Sequence, residues 1–269
     1  MKTIKEEMFM EKQCDDSCDN NCGLFDFMAN TIGIKVLHPG GYEATEKICS
    51  TSNLNENSYV LDLACGAGTT SFYLSKKYNC KITGIDISNS LIDSANKSLK
   101  KIGKQDKINF EVANALRIPY ADNTFDSVIA QAFFILIDDK EKALEEIYRV
   151  LKLGGYFGSL ELSWFKTPTK EAYDELLNKT CNNFTPRMVK FEEWEEFFQS
   201  KNFRHIKTIK NPMSSGMLQM LKIEGLFNFI KIVIKMMTNS KNRKRMMDVQ
   251  NTFDKYNDYI GYGIFCFKK

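Results

Sequence analysis

A glycine-containing turn and an acidic residue stand at the ends of two successive apolar runs of the chain. The turn reads D-L-A-C-G-A-G-T-T from Asp62 to Thr70, and its first three residues are also the end of the apolar run Tyr59–Ala64. Glycine is needed in such a turn because a side chain would block the approach of a ligand to the backbone. Asp86 stands 20 residues after Gly66, where a carboxylate can accept hydrogen bonds from both hydroxyls of a ribose. The pair indicates an adenosine-containing ligand.

The chemistry of the turn distinguishes between two kinds of adenosine cofactor. A dinucleotide site of the G-x-G-x-x-G type has a third glycine for helix packing and pyrophosphate access, and here that position is Ser71. A carboxylate at Asp62, beneath the turn, would repel a pyrophosphate but favours the ammonium group of a methionine moiety. The residues therefore favour S-adenosylmethionine (SAM) over NAD, and a nucleotide-dependent oxidoreductase is the weaker alternative.

Two further segments contain side chains that can act on a second substrate. The first is V-L-H-P-G-G-Y-E-A-T from Val36 to Thr45, where His38 or Tyr42 can face the cofactor. The second ends in Glu161 and Trp164, at the carboxyl end of a predicted strand, where ligands bind in open α/β sheets. A purely structural role remains an alternative for each of these four residues, since a lone histidine and a buried aromatic residue commonly serve packing.

Three cysteines near the N-terminus, Cys14, Cys18 and Cys22, recur every four residues and would share one face of a helix. Three thiolates can bind a soft metal ion or trivalent arsenic. The spacing matches no standard zinc or iron-sulfur pattern, so a solvated N-terminal arm over residues 1–35, with no metal, is the favoured interpretation.

The elements that position these residues follow from the alternation of apolar runs and amphipathic stretches. This pattern predicts βαβ units and one α/β domain over residues 36–269, with a core at 55–165 and helical insertions at about 165–200 and 213–257. The predicted fold is a Rossmann-like, mainly parallel, seven-stranded sheet with helices on both faces. The predicted strands are Tyr59–Ala64, Lys81–Ile85, Ile108–Val112, Thr124–Gln131, Tyr156–Leu162, Arg204–Ile209 and Tyr259–Phe267. A helix over Asp139–Leu151 is predicted to stop at Gly154 and Gly155.

Several motifs in roughly Val36 to Leu162 resemble those of the class I SAM-dependent methyltransferases. V-L-D-L-A-C-G-A-G-T-T is similar to the first motif of that family, with Ala64 where many members have glycine. I-D-I-S is similar to the second, which implies that Asp86 holds the ribose and Ile87 packs on the adenine. V-A-N-A-L-R-I-P-Y resembles the G-D-A-x-x-L-P-F stretch, which places Asn114 and Ala115 at the adenine amino group.

Two later motifs extend the resemblance. F-D-S-V-I-A-Q-A-F-F resembles the fourth strand of the family, which implies that Gln131 to Phe133 line the cofactor, and R-V-L-K-L-G-G-Y resembles the turn before the fifth strand. The predicted cofactor site comprises Asp62, Ala64, Cys65, Gly66, Gly68, Asp86, Ile87, Asn114, Ala115, Gln131 and Phe133.

The resemblance implies transfer of a methyl group from SAM to a small-molecule acceptor. Such an in-line displacement depends mainly on positioning and on exclusion of water, so it requires no universal catalytic residue. His38 and Glu161 are the candidate catalytic residues, and Tyr42 and Trp164 the candidate substrate contacts. The alternatives are an arsenite or thiol methyltransferase that uses the N-terminal cysteines, and a SAM-binding protein without catalysis.

Composition limits the partners and the location. Basic residues exceed acidic residues by three and are scattered until Lys241–Arg245, which disfavours a nucleic-acid substrate. The charged segment Met1–Gln13 lacks the apolar stretch of a secretory signal, and no window approaches the roughly 20 apolar residues of a membrane span. We therefore expect a cytoplasmic protein without a transmembrane segment, with its cysteines as thiols.

The segment Met217–Met237 is strongly apolar but carries Lys222, Lys231 and Lys235. Three interpretations stay open: a lid over the acceptor, a helix at a membrane interface, or the surface of a homodimer. The lid is the favoured one.

Overall fold

The computed structural model describes Leu24 and residues 27–180, 185–213 and 217–269. Within these residues the chain forms one mixed sheet of eight strands. The strands are β1 (Tyr59–Leu63), β2 (Lys81–Asp86), β3 (Ile108–Val112), β4 (Phe125–Gln131), β5 (Leu151–Trp164), β6 (Val189–Lys190), β7 (Arg204–Pro212) and β8 (Ile260–Lys268). Their order is β3-β2-β1-β4-β5-β8-β7, and the two-residue β6 pairs with β5 beside this path. The predicted Rossmann-like α/β fold is confirmed.

Eight α-helices connect or cover the strands in the described part of the chain. They are α1 (Gly41–Cys49), α2 (Thr69–Tyr78), α3 (Asn89–Ile102), α4 (Lys140–Val150), α5 (Lys170–Lys179), α6 (Phe191–Gln199), α7 (Met217–Thr238) and α8 (Ser240–Lys255). Gly225, with φ 73° and ψ 159°, interrupts the helical conformation inside α7. None of the helices in the described ranges is both long and apolar enough to cross a bilayer.

Local sequence explains where several helices begin. The Ser88 side chain accepts a hydrogen bond from the Leu91 backbone N–H at 3.4 Å, and Asp139 accepts one from Lys142 at 3.0 Å. These caps satisfy N–H groups that have no partner inside the helix.

The predicted stop of α4 at Gly154 and Gly155 is wrong, because the helix ends at Val150 and β5 begins at Leu151 rather than at Tyr156. Leu151 is fully buried and pairs with Phe125 of β4. Extended backbone at this point lets the side chain reach the core, and the sequence pattern of the helix does not reveal that contact.

The register of the central strands determines which residues meet at the edge of the sheet. β1 is parallel to both β2 and β4, with Leu63 opposite Ile85 on one side and Ala130 on the other. The carboxyl ends of these three strands therefore lie side by side, and the loops that follow them share one edge. This is the edge where open α/β sheets bind ligands.

The segment before β1 and the two long insertions pack on this framework. Phe27, Ile32 and Ile34 are buried in the same core as the sheet, although the predicted arm extends to residue 35. α1 packs on β5, where Gly158 leaves room for Ile48: a Cβ at Gly158 would lie 2.1 Å from that side chain. α7 and α8 form a helical hairpin through Asn239, and this α7–α8 hairpin precedes β8.

Candidate cofactor and acceptor site

Asp62 lies beneath the turn that joins β1 to α2. Its carboxylate accepts a hydrogen bond from the Ser71 hydroxyl at 2.6 Å, and the residue is buried. Burial, with a smaller contribution from the charge of Asp86, raises the pKa of Asp62 to about 7 although Ser71 favours the ionised form. Ser71 thus replaces a third glycine with a hydroxyl that orients this carboxyl group.

Gly66 faces open space at the tip of the turn. Its φ is 56°, in the left-handed region, and a Cβ built on it would meet no atom within 4 Å. The Gly66 N–H donates to Asp86 Oδ2 at 2.9 Å, and the Ser88 N–H donates to Asp86 Oδ1 at 2.9 Å. Asp86 is thereby held against the turn, and its predicted contact with a ribose stays a prediction.

Gly68 is needed for packing against the sheet. Its φ is 80°, and a Cβ there would lie 2.4 Å from the ring of Phe110 on β3. A Cβ on Gly84 would meet the same ring and the sulfur of Cys65. The two glycines make room for Phe110, a role that sequence analysis missed because Phe110 belongs to a strand on the far side of β2.

Ala64 adopts φ 57°, in the left-handed region. This backbone conformation favours glycine. It therefore explains why many class I methyltransferases have glycine at this position of their first motif.

The predicted adenine contacts lie at the ends of β2 and β3. Ile87 is 72% exposed, which leaves an apolar side chain available to cover a flat ring. The Asn114 side chain is exposed and accepts a hydrogen bond from the Leu116 N–H at 2.9 Å, and Ala115 next to it is half-buried. The structure thus places these three residues on the same edge as Asp86.

Gln131 is the centre of a polar cluster at the end of β4. Its Oε1 accepts a hydrogen bond from the Thr70 hydroxyl at 3.0 Å, and its Nε2 donates to Thr45 Oγ1 at 3.1 Å. The same Nε2 lies 3.5 Å from Nδ1 of His38. Phe133 is buried two residues later. Thr45 and Thr70 were not predicted as site residues, although they are the last residues of the segment 36–45 and of the turn 62–70.

His38 and Tyr42 lie around the start of α1. Burial lowers the pKa of His38 to about 4, against a smaller opposite effect of its hydrogen bond with the Pro39 carbonyl. The imidazole is therefore neutral at physiological pH. The Tyr42 ring stacks on Tyr73 of α2 with 4.5 Å between the ring centroids. Burial raises the pKa of Tyr42, and the charge of Glu224 raises it further, so its phenol stays protonated.

Glu161 and Trp164, on β5, are both buried. Glu161 accepts hydrogen bonds from the backbone N–H groups of Phe133, Phe134 and Ile135, and from the Ser159 hydroxyl, at 3.1 to 3.2 Å. Burial raises its pKa to about 7 in spite of these donors. The indole N–H of Trp164 donates to the Met188 carbonyl at 3.0 Å.

α7 reaches back to the segment that precedes α1. Glu224 Oε1 accepts hydrogen bonds from the backbone N–H groups of Lys35 and Val36, at 2.9 and 3.1 Å. Asn228 donates to the Gly33 carbonyl at 3.0 Å and also to Glu224. Residues 31–41, which we call the entry segment, are therefore tied to α7. This contact was not predicted from the sequence. Glu224 is a single acid in an apolar stretch, and that feature could have drawn attention to it.

The arrangement fits SAM. The open space at Gly66 admits a ligand backbone, Asp62 offers a carboxyl group for the ammonium, and Asp86 with Ile87 offers groups for the nucleoside. Among the residues that the structure describes, no group of three histidines, cysteines or acids could hold a metal ion. Cys14, Cys18 and Cys22 lie outside the described residues. Cys49, Cys65, Cys80 and Cys266 are buried free thiols.

A family model described as a methyltransferase domain matches residues 54–253, which is most of the chain. The chain belongs to this family: it is a class I SAM-dependent methyltransferase, and its cofactor is SAM. An uncharacterized protein of Haemophilus influenzae is 28% identical over 241 residues, 88% of this chain and 95% of that protein. A phosphoethanolamine N-methyltransferase of Plasmodium falciparum is 27% identical over 208 residues, 77% of this chain and 74% of that enzyme.

Solved structures share the fold. The crystal structure of the MccD protein superposes with a TM-score of 0.71 at 25% identity, covering 86% of this chain and 99% of that chain. Phosphoethanolamine N-methyltransferase 2 of Haemonchus contortus, solved with SAM, superposes with a TM-score of 0.68 at 18% identity, covering 91% of this chain and 59% of that one.

Proposed function

We propose that this enzyme transfers the methyl group of SAM to a nitrogen or oxygen atom of a small polar acceptor. The observation that carries the proposal is the uncharged polar cluster of Gln131, Thr45, Thr70 and His38 at the end of β4. Amide, hydroxyl and neutral imidazole groups suit an acceptor with N–H or O–H groups. The similarity to an enzyme named phosphoethanolamine N-methyltransferase supports a nitrogen acceptor.

When bound, SAM supplies an electrophilic methyl group on a sulfonium. We assign Asp62, Gly66 and Asp86 to its methionine and ribose parts, with Gly68, Ala64 and Cys65 shaping the turn. Ile87, Asn114 and Ala115 would surround the adenine. Gln131 and Phe133 would separate the cofactor from the acceptor.

The acceptor side combines hydrogen bonding with exclusion of water. His38 is neutral, so its ring can accept a hydrogen bond from the N–H or O–H group of the acceptor. Tyr42 would form a wall of the pocket. We assign Glu161 a positioning role, because its four hydrogen bonds hold the turn after β4, and Trp164 would support that turn from within the core.

The test replaces one histidine and uses the other as its matched control. We expect His38→Gln to lower kcat/KM for the acceptor by about 10- to 100-fold, the scale of one or two lost hydrogen bonds, and to leave SAM affinity unchanged. His205→Gln, at an exposed position on β7, should change neither quantity. Release of S-adenosylhomocysteine is measured with a panel of amines including phosphoethanolamine, alcohols, thiols and arsenite.

Two outcomes of the panel would contradict this proposal. Turnover of thiols or arsenite alone, abolished by replacing Cys14, Cys18 and Cys22, would establish the alternative enzyme. Tight SAM binding without turnover of any acceptor would favour a SAM-binding protein without catalysis.

A further inference from the structure

α7 presents an apolar stripe to solvent. Phe227 is 84% exposed and Met237 is 71% exposed. The stripe consists of Leu226, Phe227, Ile230, Ile234 and Met237. At 3.6 residues per turn these five side chains fall within an arc of about 100°, and Ile232, which is buried, lies on the opposite face. Exposed apolar side chains gathered on one helix face mark an interaction surface.

Positive charge surrounds the stripe. The α7–α8 hairpin, residues 217–255, contains eight lysines and arginines and three acids, whereas the rest of the chain contains 29 basic and 31 acidic residues. Lys231 lies next to the apolar arc on α7 and is exposed. Lys235 lies on the side that faces the entry segment and donates a hydrogen bond to the Thr31 carbonyl at 3.0 Å. Of the three acids, Glu224 is occupied by the backbone of the entry segment.

A second group of basic side chains lines a cavity on α8, where Lys179 also pairs with Asp248 at 3.7 Å. The cavity has a volume of about 300 Å³ and lies between α5 and α8. Four of the side chains that line it are basic, and Asp248 is its one acidic residue; the basic ones are Lys179, Lys241, Lys244 and Arg245. Such a cavity suits a phosphate-bearing headgroup better than a neutral one.

The apolar stripe and the positive charge together distinguish between possible partners. A second copy of this chain would bring two strongly positive surfaces together, which costs free energy at short range. A nucleic acid would neutralise the charge but leave the apolar stripe in water. A bilayer with anionic headgroups satisfies both features, since apolar side chains enter the acyl boundary while lysines meet the phosphates.

We propose that the α7–α8 hairpin docks this protein on a membrane surface that contains anionic phospholipids. Because Asn228 and Lys235 tie the face of α7 opposite the stripe to the entry segment, docking would leave that segment on the side of α7 that faces away from the bilayer. The proposal concerns where the protein binds, and it does not depend on which atom of the acceptor is methylated.

The test is flotation of the full chain with vesicles of phosphatidylcholine, alone or mixed with phosphatidylglycerol. We expect binding to the mixed vesicles only, and weaker binding as sodium chloride is added. The double variant Phe227→Asp, Ile234→Asp should bind at least about tenfold more weakly. Leu153→Asp is the matched control, since Leu153 is 81% exposed on β5 and lies outside the hairpin.

Fold and self-association are followed in the same samples. SAM affinity and the melting temperature should be unchanged in the double variant, because both replaced side chains are exposed. Three results would overturn the proposal: no binding to anionic vesicles at low salt, equal binding by the double variant, or sedimentation showing a dimer that this variant dissociates. Vesicle binding that appears only after residues 1–23 are removed would also overturn the proposal. That result would mean that this acidic segment is the partner of the apolar stripe in the full chain.

Discussion

At the residue scale, Asp62 links cofactor binding to pH. Its pKa is raised to about 7 by burial, so the carboxyl group is largely protonated in the free protein below that pH. If Asp62 pairs with the ammonium of SAM it must be ionised in the complex, so we expect binding to release a proton. SAM binding would thus change the protonation state of the buried Asp62 carboxyl group.

We expect SAM affinity to fall by up to about tenfold per pH unit as the pH decreases from 7 to 5.5. Calorimetry in two buffers of different ionisation enthalpy measures the affinity and the released proton together. Asp62→Asn is the control, since an amide cannot ionise, and it should lose this proton release. Equal wild-type affinity at pH 7 and 5.5 would refute the assignment of Asp62.

Asp86 is expected to contribute directly to nucleoside binding. Asp86→Ala should weaken SAM binding by about 1 to 3 kcal/mol, the range for hydrogen bonds to a charged group. Asp93→Ala, exposed on α3, is the matched control and should have no effect. Unchanged affinity in Asp86→Ala, measured by calorimetry, would remove Asp86 from the site.

Glu161 should affect stability with a definite pH dependence. Its pKa is raised from 4.5 to about 7 in the folded protein, so its stabilising contribution is complete below pH 4.5 and is lost as the pH rises to 7. Glu161→Gln should remove that part of the pH dependence and should destabilise the fold by about 1 to 3 kcal/mol through lost hydrogen bonds.

Urea unfolding at pH 5 and pH 8 measures both effects of the Glu161 replacement. Glu141→Gln, exposed on α4, provides the comparison. An identical pH dependence in wild type and Glu161→Gln would show that Glu161 does not change its protonation on unfolding.

Among the helices and strands, we expect the contact between α7 and the entry segment to affect access to the polar cluster. Gly41 begins α1 with φ 54°, and a Cβ there would lie 2.5 Å from Ile223 of α7. A side chain at this position would clash with Ile223, which must shift. The close approach of the two elements therefore depends on glycine.

Gly41→Ala should raise the KM for the acceptor more than it changes SAM affinity, because α7 would be pushed away from the entry segment. Gly103→Ala is the control, because it introduces the same backbone strain without a clash: Gly103 has φ 73°, and a Cβ there would have no atom within 4 Å. Strain alone costs about 1 to 2 kcal/mol. Steady-state kinetics and the rate of tryptic cleavage within α7 measure the difference. Equal behaviour of the two variants would argue against a lid.

At the scale of the whole molecule, cofactor binding should stabilise the fold. The proposed SAM site joins the loops after β1, β2 and β4 with α1, so a ligand there would connect separate parts of the sheet. At about 100 times its dissociation constant, SAM should add about 2.7 kcal/mol to the free energy of unfolding. At pH 8, where Asp62 is largely ionised, NAD should add nothing, because the carboxylate disfavours a pyrophosphate. Thermal unfolding with each ligand tests this, and stabilisation by NAD would contradict the site as described.

The order of the last strands was beyond prediction from local patterns. Arg204–Ile209 and Tyr259–Phe267 were recognised as strands, but their spacing does not specify that β8 runs antiparallel between β5 and β7. That order depends on how the two insertions return the chain to the sheet. The bend of α7 at Gly225 was likewise not predicted, since one glycine in an apolar stretch is compatible with a straight helix.

The sequence by itself determined the βαβ framework, the turn between Asp62 and Thr70, and the position of Asp86 at the end of the second strand. These features depend on apolar periodicity and on backbone requirements within a few residues, which a linear pattern records. Only the tertiary structure decided that Gln131 meets Thr45, 86 positions away, and that Glu224 binds the backbone at Lys35, 189 positions away. Such contacts follow from strand register and from the path of the insertions, because neither of these is encoded by local spacing.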